Sequence, residues 1–416
     1  MGKRMIHVAR PTRLLMIGAH KTLLITLMFL SAEVVAQNPS FAGKEFKRVW
    51  VDTSLPTGAP TVPYIVGATD LHLTAAGVFM NSTVYGTGLY YIDDSGGYTV
   101  ATKSQPEFSS AGFFRLIGAK ADGGMIFCPA VNNNIYPCQL YGAGGLSALA
   151  SPTPEQQLSL GNYFDGRYVY LEHLSLGAVQ IGYYTEGNPA DIWLDNSDFA
   201  DLATILDYDG DTLAFVTGTT GSFDVRLREA DGTLKYIIGM GDPLPGTASS
   251  TMTGTPDAET TEVDQGKVYI QSAGSGGEQI LFSSSDGITF DVIAVVGQAV
   301  PGLTGVTISG MTLKQVRDGK IWMQVAQSNG DNVLYQIVGG TWMRVAGKLD
   351  TYDGGSPVGF NTYEHGILGD SAVVVVTYLD FSSPTIYRNE VYVNADLPGF
   401  TTGGGGPVMS IVRELN

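Results

Sequence analysis

The run Gly319-Lys320-Ile321-Trp322-Met323 decides the fold, together with the two that follow it. These are Val333-Leu334-Tyr335-Gln336-Ile337 and, past Gly339-Gly340, Trp342-Met343-Arg344-Val345-Ala346. Each is short, rich in β-branched and aromatic residues, and bounded by Gly or Asp. They read as consecutive antiparallel strands joined by tight turns.

Working outward, the same opening recurs at Ala76-Gly77-Val78, Gly123-Gly124-Met125, Gly166-Arg167-Tyr168, Asp211-Thr212-Leu213, Gly266-Lys267-Val268 and Asp370-Ser371-Ala372. From Val78 to Ala372 the aligned starts are separated by 47, 43, 45, 55, 53 and 51 residues. Four short strands every ~40–50 residues is the period of a propeller blade. The expected fold is therefore all-β, a seven-bladed β-propeller. Six or eight blades and a pair of β-sandwiches are the alternatives, but a sandwich does not explain seven similar turns at similar intervals. No stretch of a dozen residues keeps helical apolar spacing.

Between repeats stand Gly241-Asp242-Pro243-Leu244-Pro245-Gly246 and Gly297-Gln298-Ala299-Val300-Pro301-Gly302, with weaker relatives at Leu55-Pro56-Thr57-Gly58 and Asp396-Leu397-Pro398-Gly399. Pro sets φ and the following Gly accepts a positive φ, which suits a type II turn. The connector is not a phosphate-cradling loop, because neither a helix nor a Lys-Ser or Lys-Thr pair follows it. Strand pairs ending in this G-[DQ]-x-x-P-G connector resemble the tandem repeats of exported bacterial β-propeller proteins, most of which have no assigned activity. The resemblance covers about residues 44–400 and is clearest near 234–302. It implies a propeller architecture and export, and it transfers no catalytic residue.

The chain has 416 residues, with 23 Lys and Arg against 40 Asp and Glu, a formal charge of −17. Residues 1–36 read as a secretory signal peptide. Lys3, Arg4, Arg10, Arg13 and Lys21 form its basic region, Leu23 to Leu30 its apolar core, and Val34-Val35-Ala36 its cleavage site. Cleavage leaves 18 basic residues against 39 acidic ones, a formal charge of −21. Such a surface repels nucleic acid. No later run is apolar for long enough to cross a membrane as a helix. The expected product is a secreted or periplasmic monomer with one propeller domain over 37–402 and a Gly-rich tail over 403–416. The segment Phe46 to Asp52 is expected to close the ring by completing the blade built from residues 361–394. Val391-Tyr392-Val393-Asn394 is the rival for that slot.

Cys128 and Cys138 flank Asn132-Asn133-Asn134. A hairpin centred on Asn133 pairs 131 with 135 and 128 with 138, placing the two sulfurs opposite one another for a disulfide. Ten-residue spacing does not suit Cys-x-x-Cys redox chemistry.

Propeller ligands usually meet the innermost strand of each blade. Six residues before the aligned starts stand His72, Asn162, Asp207, Glu262 and Gln315, with Ala119 and Gly366 interrupting the set. Arg115, Tyr163 and His365 sit beside it. These residues are the channel-mouth binding candidates, and a polar lining of a wet channel is the plainer reading. Asp207, Asp209 and Asp211 form the densest carboxylate cluster and make a weak Ca²⁺ candidate. An ordinary hairpin turn explains the same residues. No other cofactor is indicated, since no H-E-x-x-H, G-x-S-x-G or nucleotide fingerprint is present.

The composition points to a binding or interaction module for carbohydrate or protein, with Tyr183-Tyr184, Trp193 and Trp342 as aromatic candidates for sugar stacking. The alternative is a polysaccharide lyase or glycoside hydrolase. His72, Arg115 and Tyr163 would serve a lyase, and Asp207 with Glu262 a hydrolase.

Overall fold

The computed structural model describes residues 40–41, 45–51, 68–82, 88–93, 96–102, 105–109, 111, 113–119, 123–131, 134–135, 139–142, 145–148, 158–159, 163–164, 167–173, 179–185, 191–195, 202–219, 221–350, 352, 357–363, 366–380, 386–394 and 408–410. The protein is all-β. Among these residues the only helical turn is a 3-10 turn at Pro106–Phe108. The strands form seven sheets, five of them built from consecutive strands and two that also take in a terminal segment, Ser40–Phe41 in sheet 6 and Glu45–Val51 with Val408–Ser410 in sheet 7.

Sheet 1 holds Ala68–Leu73, Val78–Ser82, Gly88–Asp93 and Gly96–Thr102. Sheet 2 holds Phe113–Ala119, Met125–Val131, the short Asn134–Ile135 paired with it, Gln139–Gly142 and Gly145–Ala148. In sheet 3 the short pieces Leu158–Ser159 and Tyr163–Phe164 both pair with Arg167–His173, followed by Val179–Thr185 and Asp191–Asp195. Sheet 4 is Leu202–Asp209, Thr212–Thr219, Ser222–Arg228 and Leu234–Gly239. Sheet 5 is Thr261–Asp264, Lys267–Ala273, Gln279–Ser284 and Asp291–Val295. Sheet 6 is Ile308–Arg317, Lys320–Gln327, Asn332–Val338 and Thr341–Gly347. Every repeat start aligned in the sequence lies on the second strand of one sheet.

Sheet 7 is composite. Gly359–Asn361 and Ile367–Leu368 pair with Ser371–Asp380, and Ile386–Asn394 follows. The N-terminal strand Glu45–Val51 then lies antiparallel to Ile386–Asn394, with Phe46 opposite Asn394 and Val51 opposite Glu390. Val391 to Asn394 is thus part of the third strand, and the N-terminal strand occupies the slot beyond it. The C-terminal segment carries a strand too, since Val408–Ser410 pairs with Glu45–Val51.

Adjacent sheets pack face on face. Leu206, Val216 and Phe223 of sheet 4 cluster with Val263, Ile270 and Phe282 of sheet 5. Leu281 and Ala294 of sheet 5 meet Leu313, Met323 and Tyr335 of sheet 6. Trp322 and Leu334 of sheet 6 meet Val374, Val376 and Tyr392 of sheet 7. Leu71, Val78 and Met80 of sheet 1 cluster in turn with Val373, Val391 and Val393 of sheet 7. Each fully buried Leu, Val or Phe contributes about 1.5–3 kcal/mol of apolar transfer.

This stacking explains why the middle strands depart from the expected alternation. Lys320–Gln327 and Asn332–Val338 each bury five consecutive residues, because sheets cover both of their faces. The outermost Asp291–Val295, with only Ala294 buried, has no such double cover.

The connector also has a physical account. Gly246 and Gly302 take φ of 75° and 79°, as a turn after Pro requires. The first polar residue caps the strand behind it: the Asp242 carboxylate accepts the Gly239 N–H at 2.9 Å. Asp350 does the same for the Gly347 N–H at 2.7 Å after sheet 6. Pro243 then bridges to Thr251, and Ala299 to Thr307, so both connectors fold back in the same way.

One register differs from expectation. Val131 pairs with Asn134 and Ala130 with Ile135, so two residues join these strands rather than a turn centred on Asn133. A two-residue link matches the twist of antiparallel strands better than an odd-numbered one. Gln139 pairs with Phe127, the residues adjacent to the two cysteines. Cys128 is buried, and Cys138 lies outside the described residues, as do residues 1–36, expected to be a signal peptide, and the glycines at 403–406.

Candidate functional site

The first strands of sheets 4, 5 and 6 end in an alternating polar pattern: Asp207 and Asp209, Glu262 and Asp264, Gln315 and Arg317. With a period of two, each pair projects to one face of its strand. That face meets the next sheet, and the side chains hydrogen-bond to its backbone.

The pattern repeats rung by rung. Asp207 Oδ2 accepts the N–H of Val263 at 2.7 Å, and Asp209 Oδ2 that of Gln265 at 2.9 Å. One sheet on, Glu262 Oε2 accepts the N–H of Val316 at 3.3 Å. Asp264 accepts the N–H of Asp318 at 2.9 Å and of Gly319 at 2.8 Å. At the next step Gln315 Nε2 donates to the Ile367 carbonyl at 3.4 Å, the same position with donor and acceptor exchanged. Val263, Val316 and Ile367 each stand five residues before their own aligned start.

A second set of clamps lies further along. Gln271 donates to the Met311 carbonyl at 3.0 Å and accepts the Leu313 N–H at 2.7 Å. Gln324, three residues past its aligned start just as Gln271 is, bonds to the Phe360 carbonyl and the Thr362 N–H, both at 3.1 Å. In sheet 1 the corresponding Asn81 donates to the Phe114 carbonyl. A primary amide offers one donor and one acceptor side by side, so it mimics a strand edge between sheets that diverge too far to pair directly.

Arg317 supplies the cation. Its Nη1 donates to the Val263 carbonyl at 2.8 Å, and its Nη2 lies 3.8 Å from Asp207 Oδ1. Burial works against its charge, but Asp207, Glu262, Asp209 and Asp264 more than offset this and raise its pKa. Burial pushes the Asp207 carboxyl up to about 6, opposed by Arg317 and by the backbone N–H of Val263.

The sequence-derived candidates therefore divide. Asp207, Glu262 and Gln315 stand at equivalent places, as expected, but they bind backbone and join sheets. His72 is buried on Ala68–Leu73. Arg115 lies opposite Cys128, and Tyr163 opposite Tyr168. Asn162 and His365 lie outside the described residues. Asp211 pairs with Arg167. Among the described residues, no group of His, Cys, Asp or Glu is assembled to hold a metal ion, the three aspartates included. Trp342 is buried against Tyr335. Trp193 packs with Tyr183 at 4.7 Å and beneath Arg228. Sequence reasoning missed Asp264, Arg317, Gln271 and Gln324; only their fixed offset from the aligned starts signals them.

No family model and no curated protein matches the chain. Among solved structures it is similar to one from a structural and mechanistic analysis of two prolyl endopeptidases, at 14% identity and a TM-score of 0.49. That likeness covers 82% of this chain and 49% of the other, so the chain spans about half the length of that relative. It is also similar to TolB from Acinetobacter baumannii, at 15% identity and a TM-score of 0.35, over 60% of this chain and 62% of that one. A third likeness is to the N-terminal domain of Nup159, at 10% identity and a TM-score of 0.38, over 86% and 98%. Among the described residues, no helix is long and apolar enough to cross a membrane.

Proposed function

We propose that this chain is an exported, seven-bladed β-propeller, closed by Glu45–Val51, that acts as a non-catalytic binding module for a protein or carbohydrate ligand. The seven sheets are its blades, and the packing of sheet 1 on sheet 7 supports the ring. The signal-peptide pattern supports export.

One observation carries the binding reading. At the innermost strands, where an enzyme of this architecture would hold its chemistry, Asp207 and Glu262 are bound to the main chain of the next sheet. A hydrolase needs one carboxyl poised to give a proton and another poised to attack or to activate water. Here each carboxylate already fixes a neighbouring backbone, and moving either would break a joint of the ring.

The test is to incubate purified mature protein with neutral and acidic polysaccharides, following reducing ends and unsaturated sugars, and to pair this with a glycan array. Binding without turnover is the expected result. Turnover of either polysaccharide class would overturn the reading, and its loss in both Asp207→Asn and Glu262→Gln, each still folded, would place the chemistry at those carboxyls.

A further inference from the structure

The last strands of five sheets share one irregularity. In sheets 1, 3, 4, 5 and 6 the pairing of third with fourth strand shifts at the same place. The outer residue paired just beyond the shift is Thr99, Ile192, Tyr236, Val292 or Arg344. A bulge twists an edge strand and re-aims the side chain beside it.

What covers this position differs. In sheet 6 the chain's own segment Ser40–Phe41 adds as a parallel strand, with Ser40 beside Met343 and Phe41 beside Arg344. Arg344 there is 8% exposed. At the equivalent places Ile192, Tyr236 and Val292 are 47%, 41% and 42% exposed. Sheet 7 likewise receives an added strand, Val408–Ser410, at its outer edge. Large apolar side chains on an outer edge invite strand addition, which folds normally suppress with charge or cover.

Sheet 5 is a better acceptor than sheet 4. The edge of sheet 4 already meets its neighbour, since Lys235 Nζ donates to the Ser285 carbonyl at 3.1 Å and the Tyr236 hydroxyl is held by Asp242. On sheet 5 the exposed Asp291, which also pairs with Lys267 at 3.0 Å, and Asp286, which accepts the N–H groups of Ile288 and Thr289, flank the exposed Val292 and Ile288. Apolar edge and acidic flank together select an extended segment whose apolar residue is followed by basic ones. The segment that caps sheet 6 has this character: Phe41 precedes Lys44, Lys47 and Arg48.

We propose that the last strand of sheet 5, Asp291–Val295, accepts such a segment from a partner protein as an added parallel strand. Main-chain hydrogen bonds would supply affinity, and the apolar and acidic positions specificity. This rests on the interaction-module reading and names its surface and partner.

The probe is a synthetic peptide of residues 38–48 of this chain, added to the mature full-length protein and followed by amide hydrogen exchange. The peptide should slow exchange in 291–295 by about tenfold or more. Val292→Pro, which removes a backbone donor, should abolish that protection. Asp291→Lys, which leaves the backbone unchanged, should weaken it by about tenfold. Protection confined to 341–347, or none at all, would overturn the proposal. So would undiminished protection in folded Asp291→Lys. Exchange reads this edge alone, whereas polysaccharide turnover bears on the module reading, so the two fail separately.

Discussion

Arg317 and Asp207 sit on the first strands of sheets 6 and 4, yet they meet across sheet 5, with Nη2 and Oδ1 3.8 Å apart. The same guanidinium holds the Val263 carbonyl of the sheet between them. Three consecutive sheets are thus tied together through their first strands by one cation among four carboxylates.

The first consequence is a pH dependence. Burial holds the Asp207 pKa in the folded protein at about 6, above its ordinary 3.8. A carboxyl with a raised folded pKa favours the fold at low pH, and this contribution fades as pH rises from about 4 through 6. Its full span is about 3 kcal/mol. In Asp207→Asn that contribution is absent. The melting temperature of the wild type relative to Asp207→Asn should therefore fall between pH 4 and pH 7, by the linkage above. A difference that is flat or rises with pH contradicts this assignment.

Removing the cation should act in the opposite sense. Arg317→Met leaves the buried Asp207, Glu262 and Asp264 without their counter-ion. A loss of about 3–5 kcal/mol at neutral pH is expected, partly recovered when the carboxyls protonate in acid. Urea midpoints at pH 7 and pH 4.5 measure both parts.

The amide clamps predict a matched pair. Gln271→Leu and Gln324→Leu each leave one backbone N–H and one carbonyl unsatisfied between sheets. Each should cost about 2–4 kcal/mol. Because the clamps lie at different sheet junctions, their effects should add in the double variant. An apolar replacement that leaves stability unchanged at both sites refutes the clamp.

Gln265 is one of two described non-glycine residues with left-handed φ, at 50°. Its N–H is held by Asp209, which Gly would retain. Gln265→Gly should therefore stabilise the protein by about 1 kcal/mol, seen as a higher melting temperature. Gln265→Val should lower it.

The segments read from sequence alone predict two further outcomes. N-terminal sequencing of exported protein should begin at Gln37. Unreduced protein should be lighter by two hydrogens than reduced protein if Cys128 and Cys138 are bridged. Two free thiols end that expectation.

The fold was legible because its signal is local and repeated. Gly-bounded turns and aligned apolar starts, such as Gly266-Lys267-Val268, mark the second strand of each sheet. The position of Asp207, Glu262 and Gln315 was legible for the same reason. Their role was not, because it depends on a backbone more than fifty residues away, whose orientation only packing determines. Gln271 and Gln324 carry no such signal, because a lone Gln on a strand has no motif. The register next to the turn departs from expectation because three consecutive asparagines suit several turns equally well, while Gln139 opposite Phe127 keeps the expected one.

The central claim is that the first-strand carboxylates are joints between sheets. Unfolding of Asp264→Ala in urea tests it most directly, since Asp264 is buried and holds the N–H groups of both Asp318 and Gly319. The account predicts a loss of about 2–4 kcal/mol with any ligand binding intact at temperatures where the variant is folded. Unchanged stability together with abolished binding would contradict it.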